Sequence, residues 1–191
     1  GYLQTLDNRQ ITSGFAEMLK HGLILDKDYW KELSSLETLD HLERLIPRSV
    51  QLKEEVVRTD PNEKGLRKIL NFGHTLGHAI ESHFLTQTSG EPLLHGEAIA
   101  AGMVMEAFIS VGQCRLPQAE CDEIKAVFLR FFPRVSITTQ DQASILDLLR
   151  YDKKNAHGHV LFALLGAIGK ARTDQKVTPE LLNASFDYYK E

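Results

Sequence analysis

The 191 residues carry 22 basic and 26 acidic side chains mixed along the chain, a net charge of −4, which excludes a basic footprint for nucleic acid. That length buries the core of one domain without a disulfide or metal staple, and Cys114 and Cys121 match neither CxxC nor a paired framework, as suits a reducing, intracellular setting. No apolar run approaches the roughly 18 residues of a membrane span, and no basic-then-apolar leader is present, so the expectation is a soluble, cytoplasmic protein with no membrane partner.

The first expected helix is GFAEMLKHGLILD, capped by Thr12 or Ser13, with Asp26 starting the next turn. Glu17, Lys20 and His21 share one side of it. A Glu and a Lys three apart are ordinarily a weak surface pair, but these sit among Phe15, Ala16, Met18 and Leu19, and charges in apolar company need partners. Asp28 to Leu36 reads as a short helix and Thr38 to Leu45 as another, ended by Pro47. Pro47 can itself open a helix, and that helix holds Lys53 between acidic neighbours, where a solvated pair is the plain reading. The breakers Asp60-Pro61 and Gly65 then form a turn that delivers Glu63 and Arg67 to the most informative stretch.

That stretch is RKILNFGHTLGHAIE, Arg67 to Glu81. As one helix, at about 100° per residue, it places Asn71, His74, His78 and Glu81 within about 40° of Arg67, while Ile69, Leu76 and Ile80 face the other way and Leu70 and Phe84 flank them. A solvated polar face is usually written in Lys and Glu. Two His one turn apart instead present imidazole nitrogens to a metal or an anion. The spacing is not that of a zinc protease, because HExxH needs Glu directly after the first His and Thr75 stands there.

After a loop at Ser89-Gly90-Glu91-Pro92, LLHGEAIAAGMVMEAFISVG reads as a largely buried helix whose small residues allow tight packing. His95 sits in its first turn, where the helix dipole disfavours imidazolium and leaves the neutral form a metal ligand needs. Pro117 to Phe131 and Asp141 to Tyr151 are amphipathic scaffold helices, and DKKNAHGH places Lys153 and Lys154 in a loop. HVLFALLGAIGKART, broken by Gly166 and Gly169, reads as a short hairpin, and Thr178-Pro179-Glu180 opens a closing helix through Tyr189. The fold class is therefore mainly α, a multihelical single domain over 1–191 with one short β-hairpin near the C-terminus.

Together GFAEMLKHGLI, KEEVVRTDPNEKGLRKILNFGHTLGHAIE, LLHGEAIAAGM and DKKN resemble, in order and over nearly the whole chain, the C-terminal domain of the 3-dehydroquinate synthase family. The resemblance implies a multihelical dehydroquinate-synthase-like C-terminal domain. It implies zinc, or another divalent metal, on Glu17, His74 and His95. It makes His78 a proton-relaying neighbour of the metal, and it places Lys20, Lys53, Glu63, Arg67, Asn71 and one lysine of the DKK run, Lys154 rather than Lys153, along the substrate pocket. The family converts 3-deoxy-arabino-heptulosonate 7-phosphate to 3-dehydroquinate and phosphate in the shikimate pathway of aromatic amino acid biosynthesis, a zinc- and NAD-dependent phosphorus–oxygen lyase reaction.

The resemblance implies NAD on an N-terminal Rossmann-like domain, and in this chain no GxGxxG follows a strand. With Gly1-Tyr2-Leu3 at the start and no nearby Met, the expectation is an excised domain, inactive alone, whose partners are the sugar-phosphate substrate, that N-terminal domain and, in the full enzyme, a second copy. The alternatives are another sugar-phosphate cyclase, a metal-dependent polyol dehydrogenase of the same superfamily, or a noncatalytic helical scaffold.

Overall fold

A helix apolar on every face must be surrounded. In the computed structural model, which describes residues 6–86, 92–155 and 160–191 and, within 150–155, the backbone alone, the sequence HGEAIAAGMVMEAFISVGQC forms such a helix at His95–Cys114. Around it pack four helices and one strand: α1 (Asn8–Leu25), α4 (His74–Leu85), α6 (Gln118–Phe131), α8 (Pro179–Lys190) and β1 (Leu161–Ala167), the central helix being α5. By length and composition α5 could cross a membrane, contrary to the sequence reading that no run comes close. Its apolar window is 78% buried inside the fold, however, so its apolarity serves the core.

Small residues set the closest packing. A Cβ at Gly102 of α5 would stand 2.6 Å from the Gly77 nitrogen and 2.9 Å from its Cα. A Cβ at Gly77 of α4 would stand 2.9 Å from the Ile99 Cα. The two helices therefore cross at backbone contact, which fixes the first turn of α4 beside the first turn of α5.

The remaining elements are α2 (Lys27–Ser34), α3 (Ile46–Thr59), α7 (Thr139–Asn155) and β2 (Lys170–Lys176). Asp26 closes α1 and caps α2, accepting from the N–H groups of Asp28 and Tyr29, and α2 buries Tyr29, Trp30 and Leu33. Strands β1 and β2 form the expected antiparallel hairpin, with Leu161 opposite Lys176 and Ala167 opposite Lys170. Its turn depends on Gly169, at φ 85°, whose N–H donates to the Leu23 carbonyl at 2.7 Å. Thr178 caps α8 as read from the sequence.

Four local expectations need correction. Helix α1 begins at Asn8, because Asp7 accepts the Gln10 N–H and caps it. Thr12 and Ser13 lie inside the helix. Between Thr38 and Leu45 only a 3-10 turn forms, Leu42–Arg44, entered through His41 in the left-handed region at φ 59°. The DKKN run is the end of α7 rather than a loop. The side chains of Lys153 and Lys154, the loop at Ser89 to Glu91 and the Ala156–His159 part of DKKNAHGH lie outside the described residues.

The fourth correction matters most. Arg67 to Glu81 is two segments: a 3-10 helix at Leu66–Asn71 and α4 from His74, joined through extended Phe72 and left-handed Gly73 at φ 79°. The common stripe drawn through Arg67 and Asn71 on one helical wheel does not exist.

Candidate metal centre

Three imidazoles come together from two helix starts. His74 is the first residue of α4, His78 lies one turn on, and His95 is the first residue of α5. Their ring centroids are 5.2 Å (His74–His78), 5.7 Å (His74–His95) and 5.6 Å (His78–His95) apart. One nitrogen of each lies within 4.8 Å of the others. From α1, Glu17 brings its Oε1 to 3.5 Å from His74 Nε2.

The hydrogen bonds orient these rings. His74 Nδ1 lies 3.1 Å from the Phe72 carbonyl, which can only accept, so the proton is on Nδ1 and the Nε2 lone pair faces Glu17. His95 Nδ1 lies 3.0 Å from Glu81 Oε2, the arrangement in which a carboxylate holds one ring nitrogen and leaves the other for a cation. Burial, and then the nearby Lys20 charge, push His74 down to about 4, so the imidazole is neutral at ordinary pH.

Glu17 Oε2 accepts from Lys20 Nζ at 2.7 Å, whereas Glu17 Oε1, itself buried, has no hydrogen-bond partner. Burial alone would raise this carboxyl, but the Lys20 charge and hydrogen bond, with His74 and His21, hold it below the ordinary carboxylate range. A buried carboxylate oxygen without a donor is costly. Next to a bare imidazole nitrogen it is the donor set a divalent cation takes, and one carboxylate plus imidazoles suits zinc. The residues present therefore fit a metal.

The bonds that hold the starts of these helices come from elsewhere in the chain. Ser13 Oγ accepts the Gly96 N–H at 2.9 Å. Glu97 accepts the Leu94 N–H at 2.8 Å and receives the Arg9 guanidinium on both oxygens, at 2.6 and 2.7 Å, which fixes the turn carrying His95. At α4 the same service comes from Glu106, fully buried on α5. Of these only Ser13 was singled out from sequence, and as a cap for its own helix; Arg9, Glu97 and Glu106 were not. Glu106 did leave a trace, as a carboxylate alone within an apolar stretch, but nothing local says which amides it serves.

The other expected pocket residues divide. Lys20 is buried and paired with Glu17. Lys53, exposed on α3, is near enough to bear electrostatically on Lys20 and His21. His21 is buried, donating or accepting through Nδ1 at 2.7 Å from Ser49 Oγ, and burial with the Lys20 charge lowers it to about 4. Glu63, Arg67 and Asn71 gather around the turn before α4. Asn71 donates to Glu63 at 2.8 Å, Arg67 donates to the Pro61 carbonyl at 2.9 Å, and Asp60 accepts the Gly65 and Arg67 N–H groups. In the chain that trio leads into His74 through Phe72 and Gly73. The Lys154 side chain is outside the described residues.

Comparison with known proteins gives concordant results. A family model for the 3-dehydroquinate synthase C-terminal region matches residues 14–155. A 3-dehydroquinate synthase from Parabacteroides distasonis is 39% identical over 194 residues, covering 100% of this chain and 54% of that protein. One from Streptococcus pyogenes is 40% identical over 168 residues, covering 85% and 46%. The chain thus spans about half the length of the curated relatives it matches. Among solved structures, 2-deoxy-scyllo-inosose synthase with carbaglucose-6-phosphate, NAD+ and Co2+ aligns at TM-score 0.71 and 27% identity, covering 94% of this chain and 51% of that one. The 2-epi-5-epi-valiolone synthase of Streptomyces hygroscopicus, with NAD+ and Zn2+, aligns at TM-score 0.79 over 100% of this chain and 54% of that one, with 24% identity, and so bears on the fold.

Proposed function

The chain belongs to the 3-dehydroquinate synthase C-terminal family, and from that premise we propose that it is the metal- and substrate-binding part of an enzyme converting 3-deoxy-arabino-heptulosonate 7-phosphate to 3-dehydroquinate and phosphate. The observation that carries the metal assignment is Glu17 Oε1, buried without a donor and 3.5 Å from the bare Nε2 of His74. Glu17, His74 and His95 are the proposed ligands, and His78, exposed beside them, is proposed not to ligate. The cation supplies Lewis acidity to a substrate hydroxyl when bound, and NAD, held mainly by a part of the enzyme outside this chain, supplies the hydride chemistry.

The chain's own residues then have separable tasks. Lys20 holds the Glu17 carboxylate in its ionised form and presents a partly desolvated ammonium to an anionic substrate. Arg67, Lys53 and Lys154 offer charge to the phosphate and carboxylate. Glu63 orients the Asn71 amide, which can then bond a hydroxyl. His78, with an imidazole in the same cluster, is proposed to take and return protons. The same family membership supports a cytoplasmic homodimer for the whole enzyme.

The test uses the full-length enzyme and measures phosphate release from the heptulosonate phosphate, with zinc content determined in parallel. Glu17→Gln and His74→Asn should each remove the metal and the activity, with the fold intact by circular dichroism. Full zinc content in both would overturn the ligand assignment. The 2-deoxy-scyllo-inosose synthase likeness supports a second reading, a cyclase for another sugar phosphate, and turnover of a hexose 6-phosphate in place of the heptulosonate would favour it.

A further inference from the structure

Helix α4 lacks a cap of its own. Its N-cap residue is Gly73, which has no side chain, and a Cβ there would collide with Met103. The first amides of a helix still need acceptors, more so when buried. Glu106, three turns along the neighbouring helix, provides them: Oε2 accepts the Gly73 N–H at 2.7 Å and Oε1 the Leu76 N–H at 3.1 Å. Burial pushes this carboxyl up to about 8 against the pull of the Leu76, Gly73 and Thr75 amides, so it is a demanding group to keep in a core.

The Gly73 N–H belongs to the same planar peptide unit as the Phe72 carbonyl. In a trans peptide the two point in opposite directions and turn together. The Phe72 carbonyl is the acceptor for His74 Nδ1 at 3.1 Å. A grip on one end of that peptide therefore aims the other end at the imidazole. We infer that Glu106 is a positioning residue that, through the Phe72–Gly73 peptide, fixes the ring orientation and the Nδ1–H tautomer of His74. Without it the peptide can rotate, and His74 has a competing acceptor: a proton on Nε2 would face Glu17 Oε1, now 3.5 Å away. That switch would occupy both atoms assigned above to the cation. The link to metal rests on that assignment. The link to the tautomer does not.

The experiment compares wild type with Glu106→Gln and Glu106→Asp, each checked for folding by circular dichroism. Gln keeps the shape but sets an amide NH2 against one backbone N–H, and Asp keeps both oxygens but shortens their reach. On metal-free, 15N-labelled protein, long-range 1H–15N correlation spectra report the His74 tautomer. Co2+ titration, followed by its visible d–d bands, reports affinity and ligand geometry.

The expected result is Nδ1–H His74 in the wild type and a mixed or Nε2–H ring in the variants, with Co2+ affinity lowered about tenfold and an altered band shape. An unchanged His74 tautomer in folded variants would overturn the inference, as would an unchanged Co2+ affinity beside a merely lowered stability. Failure of the wild type to bind Co2+ would instead overturn the metal assignment, while the tautomer measurement, made without metal, decides the role of Glu106.

Discussion

Gly102→Ala is the sharpest test of how the fold places the imidazoles. The new Cβ would fall inside contact distance of the Gly73 carbonyl oxygen, 2.6 Å from the Gly77 nitrogen and 2.9 Å from the Gly77 Cα. All three are backbone atoms of the α4 start and cannot swing aside, so α4 must move away from α5 by on the order of 1 Å before ordinary packing distances return. Overpacking of this kind costs about 1–3 kcal/mol, against about 1 kcal/mol gained from replacing Gly by Ala in a helix.

Gly112→Ala on the same helix is the control. Gly112 is exposed and its Cβ would meet the Leu181 Cδ1 at 3.3 Å, the end of a flexible, partly buried side chain, so the propensity gain should leave it neutral or up to about 1 kcal/mol more stable. Urea unfolding followed by circular dichroism measures both, and zinc competition titration measures the site. Gly102→Ala should lose stability relative to Gly112→Ala and bind zinc more weakly, because His74 and His78 ride on α4 while His95 rides on α5. Equal stabilities and equal zinc affinities would refute the claim that backbone contact between the two helices sets the site.

Three further outcomes are expected. Asp141, with Thr138 in a capping box at the start of α7 and 2.8 Å from His83 Nε2, is held at about 2 by the Thr138 bonds and His83, below its ordinary 3.8. Its folded value is depressed, so its contribution is whole above about pH 4 and lost as pH falls through about 2. Asp141→Asn should therefore lower stability by about 1 kcal/mol at pH 7 in urea titrations, and a gap that stays constant down to pH 2 would contradict this. His78→Ala should keep zinc and reduce turnover in the full-length enzyme, whereas metal loss equal to that of His74→Ala would reverse the proposed roles. This chain alone, given zinc, NAD and the heptulosonate phosphate, should release no phosphate and should show no appreciable NAD binding by calorimetry; release would show that the hydride site is within it.

What was legible in the sequence followed from period and composition. Helix α5 shows as an apolar stretch of small residues, the hairpin as a β-rich run cut by Gly166 and Gly169, and the His74–His78 pair as one helical turn. What was not legible depends on partners far away in the chain. The break at Gly73 looks, on a helical wheel, like a tolerable glycine. It is required because Met103 fills the space a side chain would need. Ser13 looks like a cap for its own helix and instead caps α5, through Gly96. Glu106 stands out as a lone acid, but its acceptor role involves backbone amides, which no residue pattern records.

The corrected break also explains how His74 and His95 come to sit at two neighbouring helix starts. Had Arg67 to Glu81 been a single helix, His74 would lie in its middle, where the helix field is weak. Because Gly73 restarts the chain, His74 becomes a first-turn residue, as His95 is of α5, and two positive helix ends converge on one spot beside the Glu17 carboxylate. Helix N-termini disfavour a proton on an imidazole and favour an anion nearby. Burial first, and then the Lys20 charge, keep His74 deprotonated at Nε2 over the pH range in which most enzymes work, and the helix ends act in the same direction. The Lys20 charge and the helix ends also favour an anion nearby. The break is therefore consistent with both halves of the proposal, a cation held by neutral nitrogen and an anionic substrate.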